Sequence, residues 1–488
     1  MPDGPRHILL ILCDQLSAAA LSAYGNPRTQ TPHLDTLLTD GVGFRDAFTN
    51  CPLCQPSRAS LWTGRYPHET GIVSNGLRTP IPPPTSGPPL AASETIPETM
   101  PTLGQTFRDA GFRTHHFGKC HDAGALRGFV CAPLQQQPVV ADDPTLPVFY
   151  DTRNDADTTQ KTVAFLDDHA AADPYLAVCD LQNPHDICNW VGGFAAGQID
   201  PVADDAALPP LPENFARDPE SFRSLPWPVQ YVCCAHVRQA QIADWDHRML
   251  RHYLRAYDHY VHRVDAEVGR VLAALRRRPD ADQTLVVFTA DHGDSMLGRG
   301  LATKHCTFYE ETMRVPLAFA GAGVRAADAL LPGLCCLLDL VPTLCDAADL
   351  APPPGLRGRS LWPLVQGRPA PPPPTYVVGQ WTTEWGYTVE PGRMIRTDSH
   401  KYTHYLEGAG EELYDLTADP GEMHNLADAP PHHATLQHHR ALLQHHLQTT
   451  GDDYLTQPHR SHPGTRQHPP GYHHHRGPAA PQLDDTSR

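Results

Sequence analysis

Short runs of apolar residues alternate with amphipathic segments through the N-terminal part of the chain. Runs that are apolar throughout are typical of parallel strands covered on both faces, and open α/β sheets bind ligands beyond the carboxyl ends of such strands. Polar residues follow three of the runs directly: Asp14 after 7–13 (HILLILC), Asn183-Pro184-His185 after 175–181 (YLAVCDL), and Asp291-His292-Gly293 after 284–290 (TLVVFTA). We therefore expect these residues to converge at one edge of a sheet.

The segments between these runs predict helices and further strands. Periodicity and capping signals predict helices at 32–40, 102–110, 157–170 and 245–277. Strands are predicted at 44–49 and 112–118, and the second of them leads to Lys119-Cys120-His121. The stretch 186–240 is rich in Pro and Gly and has no clear period, which predicts loops inserted over the site.

A run of prolines marks the strongest boundary in the chain. Residues 368–375 (RPAPPPPT) are expected to form a stiff connector. Beyond them, 376–451 holds short strand-like pieces and a final helix near 433–448, which indicates a small α+β subdomain with an antiparallel sheet. From 452 to 488 the chain is rich in His, Pro and Gly, and a disordered tail is expected there. The part before the connector, 1–367, is expected to form one large α/β domain.

Composition and charge exclude several classes of protein. The 38 Lys and Arg against 55 Asp and Glu give a net charge of −17, which excludes a nucleic-acid binder that works by bulk attraction to phosphate. No apolar stretch approaches the roughly 18 residues of a membrane span. The start of the chain shows no signal-peptide pattern, and the 13 cysteines are an odd number, so we expect a reduced, cytoplasmic protein with no membrane partner.

The sharpest local pattern is the segment from Cys54 to Arg65 (CQPSRASLWTGR). C-x-P-S-R followed by A-S-x-x-T-G-R resembles the signature of type I sulfatases, which belong to the alkaline phosphatase superfamily. Other parts of the chain fit the same resemblance: Asp14 at a strand end, GKCH at 118–121, Asp-His-Gly at 291–293, and the stretch around Lys304. The resemblance covers about residues 7–430 and implies a large mixed β-sheet flanked by helices, with the small antiparallel subdomain at the C-terminus.

In this family a maturation enzyme oxidises the motif cysteine to formylglycine, and the resemblance implies the same for Cys54. The hydrated aldehyde carries two hydroxyls on one carbon. One can attack sulfur, and the other, once deprotonated, can expel sulfate by re-forming the aldehyde. We expect Cys54 to lie just before a helix that begins near Ser57, so that the positive end of this helix faces the anion. The alternative for Cys54 is a buried structural cysteine.

The resemblance also implies one divalent metal ion, held by Asp14, Asp291, His292 and the diol at position 54. Such a cation would neutralise a sulfate oxygen and lower the pKa of the attacking hydroxyl. The chain departs from the commonest pattern at Gln15, where many members have a second aspartate, and at His292, where many have Asn. The family favours calcium, whereas imidazole in place of a carboxylate leaves manganese and magnesium open. The same departures resemble the branch with choline sulfatases and phosphonate monoester hydrolases.

The resemblance assigns the sulfate group to two lysines and a histidine. Lys119 and Lys304 would hold sulfate oxygens, and His121 would take the proton of the hemiacetal hydroxyl in the elimination step. Only four lysines occur among the 38 basic residues, and these two are among them. A planar guanidinium cannot replace a compact ammonium group in a tight anion pocket, so the scarcity of Lys elsewhere supports both assignments.

Three further residues complete the predicted site. Arg58 would brace the diol and the metal ligands, and His185 would contact the leaving oxygen as a substrate ligand or general acid. Asn75 would donate a hydrogen bond to the substrate. A purely structural role is the alternative for His185 and for Asn75, since Asn commonly stabilises turns.

The predicted function is hydrolysis of a sulfate monoester to an alcohol and inorganic sulfate. Hydrolysis of a phosphonate monoester or phosphodiester at the same site is a second hypothesis, because a cation, a diol and a Lys/His clamp suit any tetrahedral oxyanion. A non-catalytic relative that binds anions, or metal through its His-rich tail, is a third. The predicted partners are a small sulfate ester and the maturation enzyme.

Overall fold

The fold has two β-sheets with helices packed around the larger one. The computed structural model describes residues 4–75, 95–133, 153–170, 173–304, 307–327, 330–382 and 390–456 of the 488-residue chain. One sheet has eight strands, and the other has four antiparallel strands near the C-terminus. The expected α/β fold, with a large mixed sheet, flanking helices and a small antiparallel sheet, is confirmed.

The large sheet is parallel at its centre and mixed towards one side. Its strands are β1 (His7–Asp14), β2 (Val42–Phe48), β3 (Arg113–Gly118), β4 (Val130–Pro133), β5 (Tyr175–Pro184), β6 (Thr284–Ala290), β7 (Leu317–Gly321) and β8 (Leu331–Cys336). Their order across the sheet is β4-β3-β5-β1-β6-β7-β2-β8, and β7 runs antiparallel to both of its neighbours. Strands β3, β5, β1 and β6 are adjacent and parallel, so their carboxyl ends lie side by side.

Fourteen α-helices lie in the described part of the chain. They are α1 (Pro32–Thr39), α2 (Cys54–Thr63), α3 (Pro67–Thr70), α4 (Leu103–Asp109), α5 (Arg153–Asp168), α6 (Ile187–Ala195), α7 (Pro219–Ser224), α8 (Trp227–Ala235), α9 (Val237–Ile242), α10 (His247–Arg276), α11 (Glu310–Met313), α12 (Leu340–Ala347), α13 (Trp362–Val365) and α14 (His433–Thr450). The helices predicted from periodicity correspond to α1, α4, α5, α10 and α14. None of the described helices is both long and apolar enough to cross a membrane.

The expectation of loops over 186–240 is wrong, because α6, α7, α8 and α9 occupy much of this stretch. These helices have six to nine residues each, too few to display a clear period in the sequence. Their starts are specified locally instead. Asp218 caps α7 by accepting from the Glu220 and Ser221 N–H groups, and Pro219 occupies the first helical position.

The small sheet consists of β9 (Val377–Trp381), β10 (Gly392–Arg396), β11 (His400–Tyr405) and β12 (Gly410–Asp415), in the order β12-β11-β10-β9. One cluster of buried side chains joins it to the large domain and includes Phe48, Met313, Trp381 and Met394. The two parts therefore share a core, and the boundary at 368–375 stays a prediction.

An ion triad, in which Lys401 and Glu422 are buried and Glu310 is partly buried, also joins the small sheet to the large domain. Lys401 Nζ of β11 lies 2.8 Å from Glu310 Oε1 and 2.8 Å from Glu422 Oε1. Glu310 is the first residue of α11, which follows Lys304 closely in the chain. The structure thus gives Lys401, for which the sequence indicates no role, a place between the two parts of the protein.

Residues 452–456 pack against the C-terminal subdomain, and the boundary of the predicted tail stays a prediction. Asp452 accepts a hydrogen bond from Arg393 Nε at 2.7 Å, and the Tyr454 hydroxyl donates to His404 O at 2.8 Å. Tyr454 is also packed in the core between α14 and the small sheet. The remainder of the predicted tail, 457–488, lies outside the described residues.

Candidate active site

The carboxyl ends of four neighbouring strands supply most of the candidate site. The residues concerned are Lys119 after β3, His185 after β5, Asp14 at the end of β1, and Asp291 with His292 after β6. Because these strands are adjacent and parallel, the side chains meet at one edge of the sheet. The structure therefore brings together residues that lie far apart in the sequence.

Cys54 reaches this edge from β2, as the first residue of α2. The helix does not begin near Ser57 as expected, because Pro56 lies in its first turn, where a missing N–H breaks no helical hydrogen bond. The Gln55 N–H already donates to Asn75 Oδ1 at 2.9 Å. Because this N–H group is already bound, the helix would stabilise an anion at position 54 chiefly through the positive end of its dipole.

The Cys54 thiol lies between a carboxylate, an imidazole and an ammonium group. Its Sγ is 3.7 Å from Asp14 Oδ1, 3.3 Å from His292 Nε2 and 2.9 Å from Lys304 Nζ. Burial and Asp14 oppose ionisation, yet Lys304, Lys119 and His292 lower the pKa of the thiol well below its usual value. The pocket thus stabilises negative charge at this position.

Four residues here have the composition of a metal centre. Asp14, Cys54, Asp291 and His292 offer ligand atoms that all lie within 4.8 Å of one another. His292 Nδ1 lies 2.9 Å from Gly293 O, so the Nδ1–H donates there and Nε2 faces the cluster. Burial and the Asp14 carboxylate raise the pKa of Asp291 to about 6. Two buried carboxylates that repel each other, beside the Nε2 atom of an imidazole, fit a divalent cation.

Arg58 holds the carboxylates of this cluster in place. It is fully buried, and its Nε donates to Asp291 Oδ2 at 2.8 Å. Its two terminal nitrogens donate to Asp180 at 2.6 and 3.0 Å, and Nη2 lies 3.5 Å from Asp14 Oδ2. The guanidinium therefore contacts two of the predicted metal ligands, and its role in bracing them stays a prediction.

The two lysines predicted to bind sulfate both point into the pocket. Lys119 Nζ donates to Asp14 Oδ2, and Lys304 Nζ lies 3.6 Å from Asp14 Oδ1 and donates to Gln15 Oε1 at 2.8 Å. Burial opposes their charge, but the negative charges of Asp14 and Cys54 raise the pKa of both ammonium groups. The site thus keeps two positive charges next to the Cys54 side chain.

His185, Asn75 and His121 occupy three different environments. His185 Nδ1 lies 3.0 Å from Gln182 Nε2, and burial together with the two lysines lowers its pKa to about 4, so it is neutral at pH 7. Asn75 caps α2 through Gln55, which is a structural contact. The His121 ring is partly exposed and has no hydrogen-bond partner within the described ranges. The catalytic roles of these three residues stay predictions.

Two buried carboxylates of the site do not emerge from the sequence as functional. Asp180 binds Arg58 from within β5, and its only signal is a charged residue in an otherwise apolar run. Asp294 accepts hydrogen bonds from Gln15 Nε2 at 2.7 Å and from the Tyr253 hydroxyl at 2.7 Å. Gln15 thereby connects Asp294 to Lys304.

Comparison of the sequence with known proteins gives two family matches and close relatives. Residues 6–350 match the sulfatase family, and residues 300–449 match the family of the N-sulphoglucosamine sulphohydrolase C-terminal part. A delta 4,5-hexuronate-2-O-sulfatase of Bacteroides thetaiotaomicron is 41% identical over 480 residues, which cover 98% of this chain and 96% of that relative. A choline-sulfatase of Rhizobium meliloti is 28% identical, covering 88% of this chain and 84% of its own length.

Comparison of the fold with solved structures agrees with these matches. A 2-O GAG sulfatase superposes with a TM-score of 0.87 at 40% identity, covering 97% of this chain and 98% of that structure. The phosphonate monoester hydrolase of Agrobacterium radiobacter superposes with a TM-score of 0.74 at 20% identity, covering 92% of this chain and 96% of that structure. The likeness to the phosphonate monoester hydrolase shows only that the fold is shared.

Proposed function

Starting from the finding that this chain belongs to the sulfatase family and is a sulfuric ester hydrolase, we propose that it removes the 2-O-sulfate of a hexuronate. The observation that carries this proposal is the 41% identity to a delta 4,5-hexuronate-2-O-sulfatase over nearly the full length of both chains. The 2-O GAG sulfatase with a TM-score of 0.87 supports the same position of the ester. The substrate class is therefore a sulfated uronic acid derived from a glycosaminoglycan.

The nucleophile of the proposed reaction is formylglycine made from Cys54 by a maturation enzyme. The thiol Sγ stands where a hydroxyl oxygen of the hydrated aldehyde would lie, and its surroundings stabilise negative charge. Formylglycine supplies a gem-diol that can attack sulfur and later release sulfate by elimination. Lys304, 2.9 Å from Sγ, would stabilise the ionised hydroxyl before attack.

Asp14, Asp291 and His292 would hold one divalent cation together with an oxygen of residue 54. Calcium is the ion that the family favours, the single imidazole among the ligands suits manganese as the alternative, and magnesium is a third candidate. When bound, the cation supplies positive charge to a sulfate oxygen and to the nucleophile. Arg58 fixes the orientation of Asp14 and Asp291 by direct hydrogen bonds, whether or not substrate is present.

The remaining residues would divide sulfate binding from proton transfer. Lys119 and Lys304 bring two positive charges to the pocket and would bind sulfate oxygens, replacing part of their contact with Asp14. His185 would contact the leaving oxygen, since it lies next to Cys54 and Lys304 at the end of β5. His121 would take the hydroxyl proton during elimination, for which its partly exposed ring leaves it free to approach residue 54.

Phosphonate or phosphodiester hydrolysis is the weaker candidate. The site would accept any tetrahedral oxyanion by charge, and a phosphonate monoester hydrolase shares the fold. The identity of 20% to that enzyme is half of the identity to the hexuronate-2-O-sulfatase. The sequence relationship therefore favours sulfate as the reacting group.

The substrate is tested with two matched sulfated disaccharides and one phosphonate. One carries the ester on O2 of the Δ4,5-unsaturated uronate, one carries it on O6 of the glucosamine, and a nitrophenyl phosphonate serves as the third. We expect release of inorganic sulfate from the first at a kcat/KM at least about 100-fold above that of the second. Faster turnover of the 6-O-sulfate would overturn the assignment of the ester to O2. Faster turnover of the phosphonate would overturn sulfate ester hydrolysis as the reaction.

The modification is tested by mass analysis of the tryptic peptide 46–58. This peptide contains Cys51 as well as Cys54, so one spectrum provides both the test and its control. Protein made together with the maturation enzyme is expected to carry an aldehyde at Cys54 and an unmodified thiol at Cys51. An unmodified Cys54 in active protein would remove the proposed nucleophile.

A further inference from the structure

Two exposed thiols and one buried imidazole form a second cluster of metal-binding groups, on the far side of Asp180 from the catalytic pocket. His116, Cys120 and Cys131 each offer one ligand atom, and these atoms all lie within 4.8 Å of one another. The distance from Cys120 Sγ to His116 Nδ1 is 3.9 Å. Across the described ranges, this is the one such cluster besides the catalytic one.

The cluster is set by the backbone of the sheet. Strands β3 and β4 are parallel neighbours, and their register places His116 directly opposite Cys131. Cys120 follows the end of β3 and turns back so that its thiol faces the same imidazole. Backbone pairing therefore holds two of the three groups together even without a ligand.

The other ring nitrogen of His116 has the partner that is typical of a metal-binding histidine. Nε2 lies 3.0 Å from Asp180 Oδ2, and both residues are fully buried. An Nε2–H that donates to this carboxylate leaves the lone pair on Nδ1, which faces the thiols. Asp180 is itself held by two hydrogen bonds from Arg58, so the ring orientation is fixed.

We propose that His116, Cys120 and Cys131 bind one thiophilic divalent cation, with Zn²⁺ as the representative ion. Zinc prefers thiolate and imidazole ligands at about 2.3 and 2.0 Å, which places sulfur and nitrogen roughly 3.6 Å apart in a tetrahedral site. The observed separation of 3.9 Å needs only a small closure. Both cysteines are exposed, so the fourth ligand position opens to solvent.

Binding at this cluster requires no redox partner. The cation replaces the protons of two thiols and any proton on His116 Nδ1, and the two thiolates balance its double charge. Cys120 lies between Lys119 and His121, and an occupied site would therefore fix the segment that carries both residues.

The first test measures thiolate coordination with Co²⁺ as the spectroscopic probe. Reduced, metal-free protein is titrated with Co²⁺, and the sulfur-to-cobalt charge-transfer band in the near ultraviolet is recorded. We expect one equivalent to give a band that falls by about half in C120S and in C131S and persists in C54S and C345S. A band that is unchanged in C120S and C131S, or lost only in C54S, would overturn the proposal. The His-rich tail contributes no such band because imidazole is not a thiolate.

The second test needs no substitution and therefore does not depend on the folding of a variant. Wild-type protein is alkylated with iodoacetamide, with and without one equivalent of Zn²⁺, and each cysteine is followed by peptide mass analysis. Zn²⁺ is expected to slow alkylation of Cys120 and Cys131 by at least about tenfold, and a chelator is expected to reverse the effect. Equal rates with and without Zn²⁺, or a Cys120–Cys131 disulfide that excludes the ion, would contradict the site.

Discussion

Lys304 Nζ lies 2.9 Å from Cys54 Sγ, at the end of a series of contacts that begins in α10. The Tyr253 hydroxyl donates to Asp294, Asp294 accepts from Gln15, and Gln15 Oε1 accepts from Lys304 Nζ at 2.8 Å. The ammonium group is therefore held from behind by the amide oxygen of Gln15, and the buried Asp294 carboxylate fixes the orientation of this amide. This arrangement leaves the face of Lys304 towards residue 54 available for the anion.

Replacing either active-site lysine by arginine is expected to lower kcat by at least about 100-fold, because a guanidinium displaces the anion by roughly an ångström in this closed pocket. The variants are Lys119→Arg and Lys304→Arg, and the control is Lys161→Arg. Lys161 pairs with Asp157 at 2.6 Å on the partly exposed surface of α5, where either cation serves. Initial rates of sulfate release check the prediction, and activity within twofold of wild type in either test variant would contradict it.

Loss of Arg58 is expected to destabilise the fold as well as the site. Arg58→Met leaves Asp180 and Asp291 buried without their counter-charge, which costs about 3–5 kcal/mol in the free energy of unfolding. The control is Arg277→Met, whose partner Asp167 is 46% exposed, and a surface pair of this kind contributes less than about 1 kcal/mol. Urea unfolding of both variants measures the difference. Equal stabilities would mean that the buried ion pairs are not needed by the fold.

Removal of one carboxylate from the catalytic cluster is expected to remove the metal ion. Asp291→Asn keeps the shape of the side chain but loses the charge that faces His292 and Asp14. Elemental analysis should find one equivalent of divalent ion fewer per chain than in wild type, with activity reduced at least about 100-fold. Asp167→Asn, at the exposed pair with Arg277, should keep both the metal and the activity. Unchanged metal content in the Asp291 variant would place the ion elsewhere.

A buried histidine in α14 is expected to make the protein less stable in acid. Burial lowers the pKa of His446 to about 4, whereas the unfolded chain binds this proton near pH 6.5. Unfolding is therefore favoured progressively as the pH falls from about 6.5 to about 4, by about 3 kcal/mol in all.

His446→Phe should flatten this part of the stability profile, because the ring packs against Tyr66 at a centroid distance of 4.9 Å and a phenyl ring can keep the contact. His438→Phe, at an exposed position of the same helix, should leave the profile unchanged. Thermal melts between pH 4 and pH 7.5 compare the three proteins. A parallel loss of stability in all of them would assign the acid sensitivity to other groups.

Much of the central sheet could be predicted because its strands are marked by composition. β1, β5 and β6 are apolar nearly throughout, and each is followed by polar residues that the structure places in the pocket. By contrast, α6 to α9 are short, and their starts depend on single capping residues such as Asp218, so periodicity gives no signal. Tyr454, which the composition assigns to a tail, packs in one cluster with side chains of α14 and of the small sheet, and this contact is not visible in the sequence.

The site could be predicted where a residue belongs to a local motif and not where it acts through space. Cys54 and Arg58 are four residues apart in one helix, and their pattern is visible in the sequence. Asp180 and Asp294 face the site from β5 and from the loop after β6, and nothing in their neighbours distinguishes them from structural carboxylates. Their importance follows from the partners they meet, Arg58 and Gln15, and those contacts exist only in the folded chain.

The triad of Lys401, Glu310 and Glu422 has a consequence for any attempt to recombine this enzyme with its relatives. Glu310 opens the helix that follows the Lys304 segment, and its charge is balanced by a lysine from the other part of the protein. A chimera that joins residues 1–367 to a foreign C-terminal part would have to carry an equivalent of Lys401. Without it, Glu310 would lose this counter-charge in the element next to the lysine that faces Cys54.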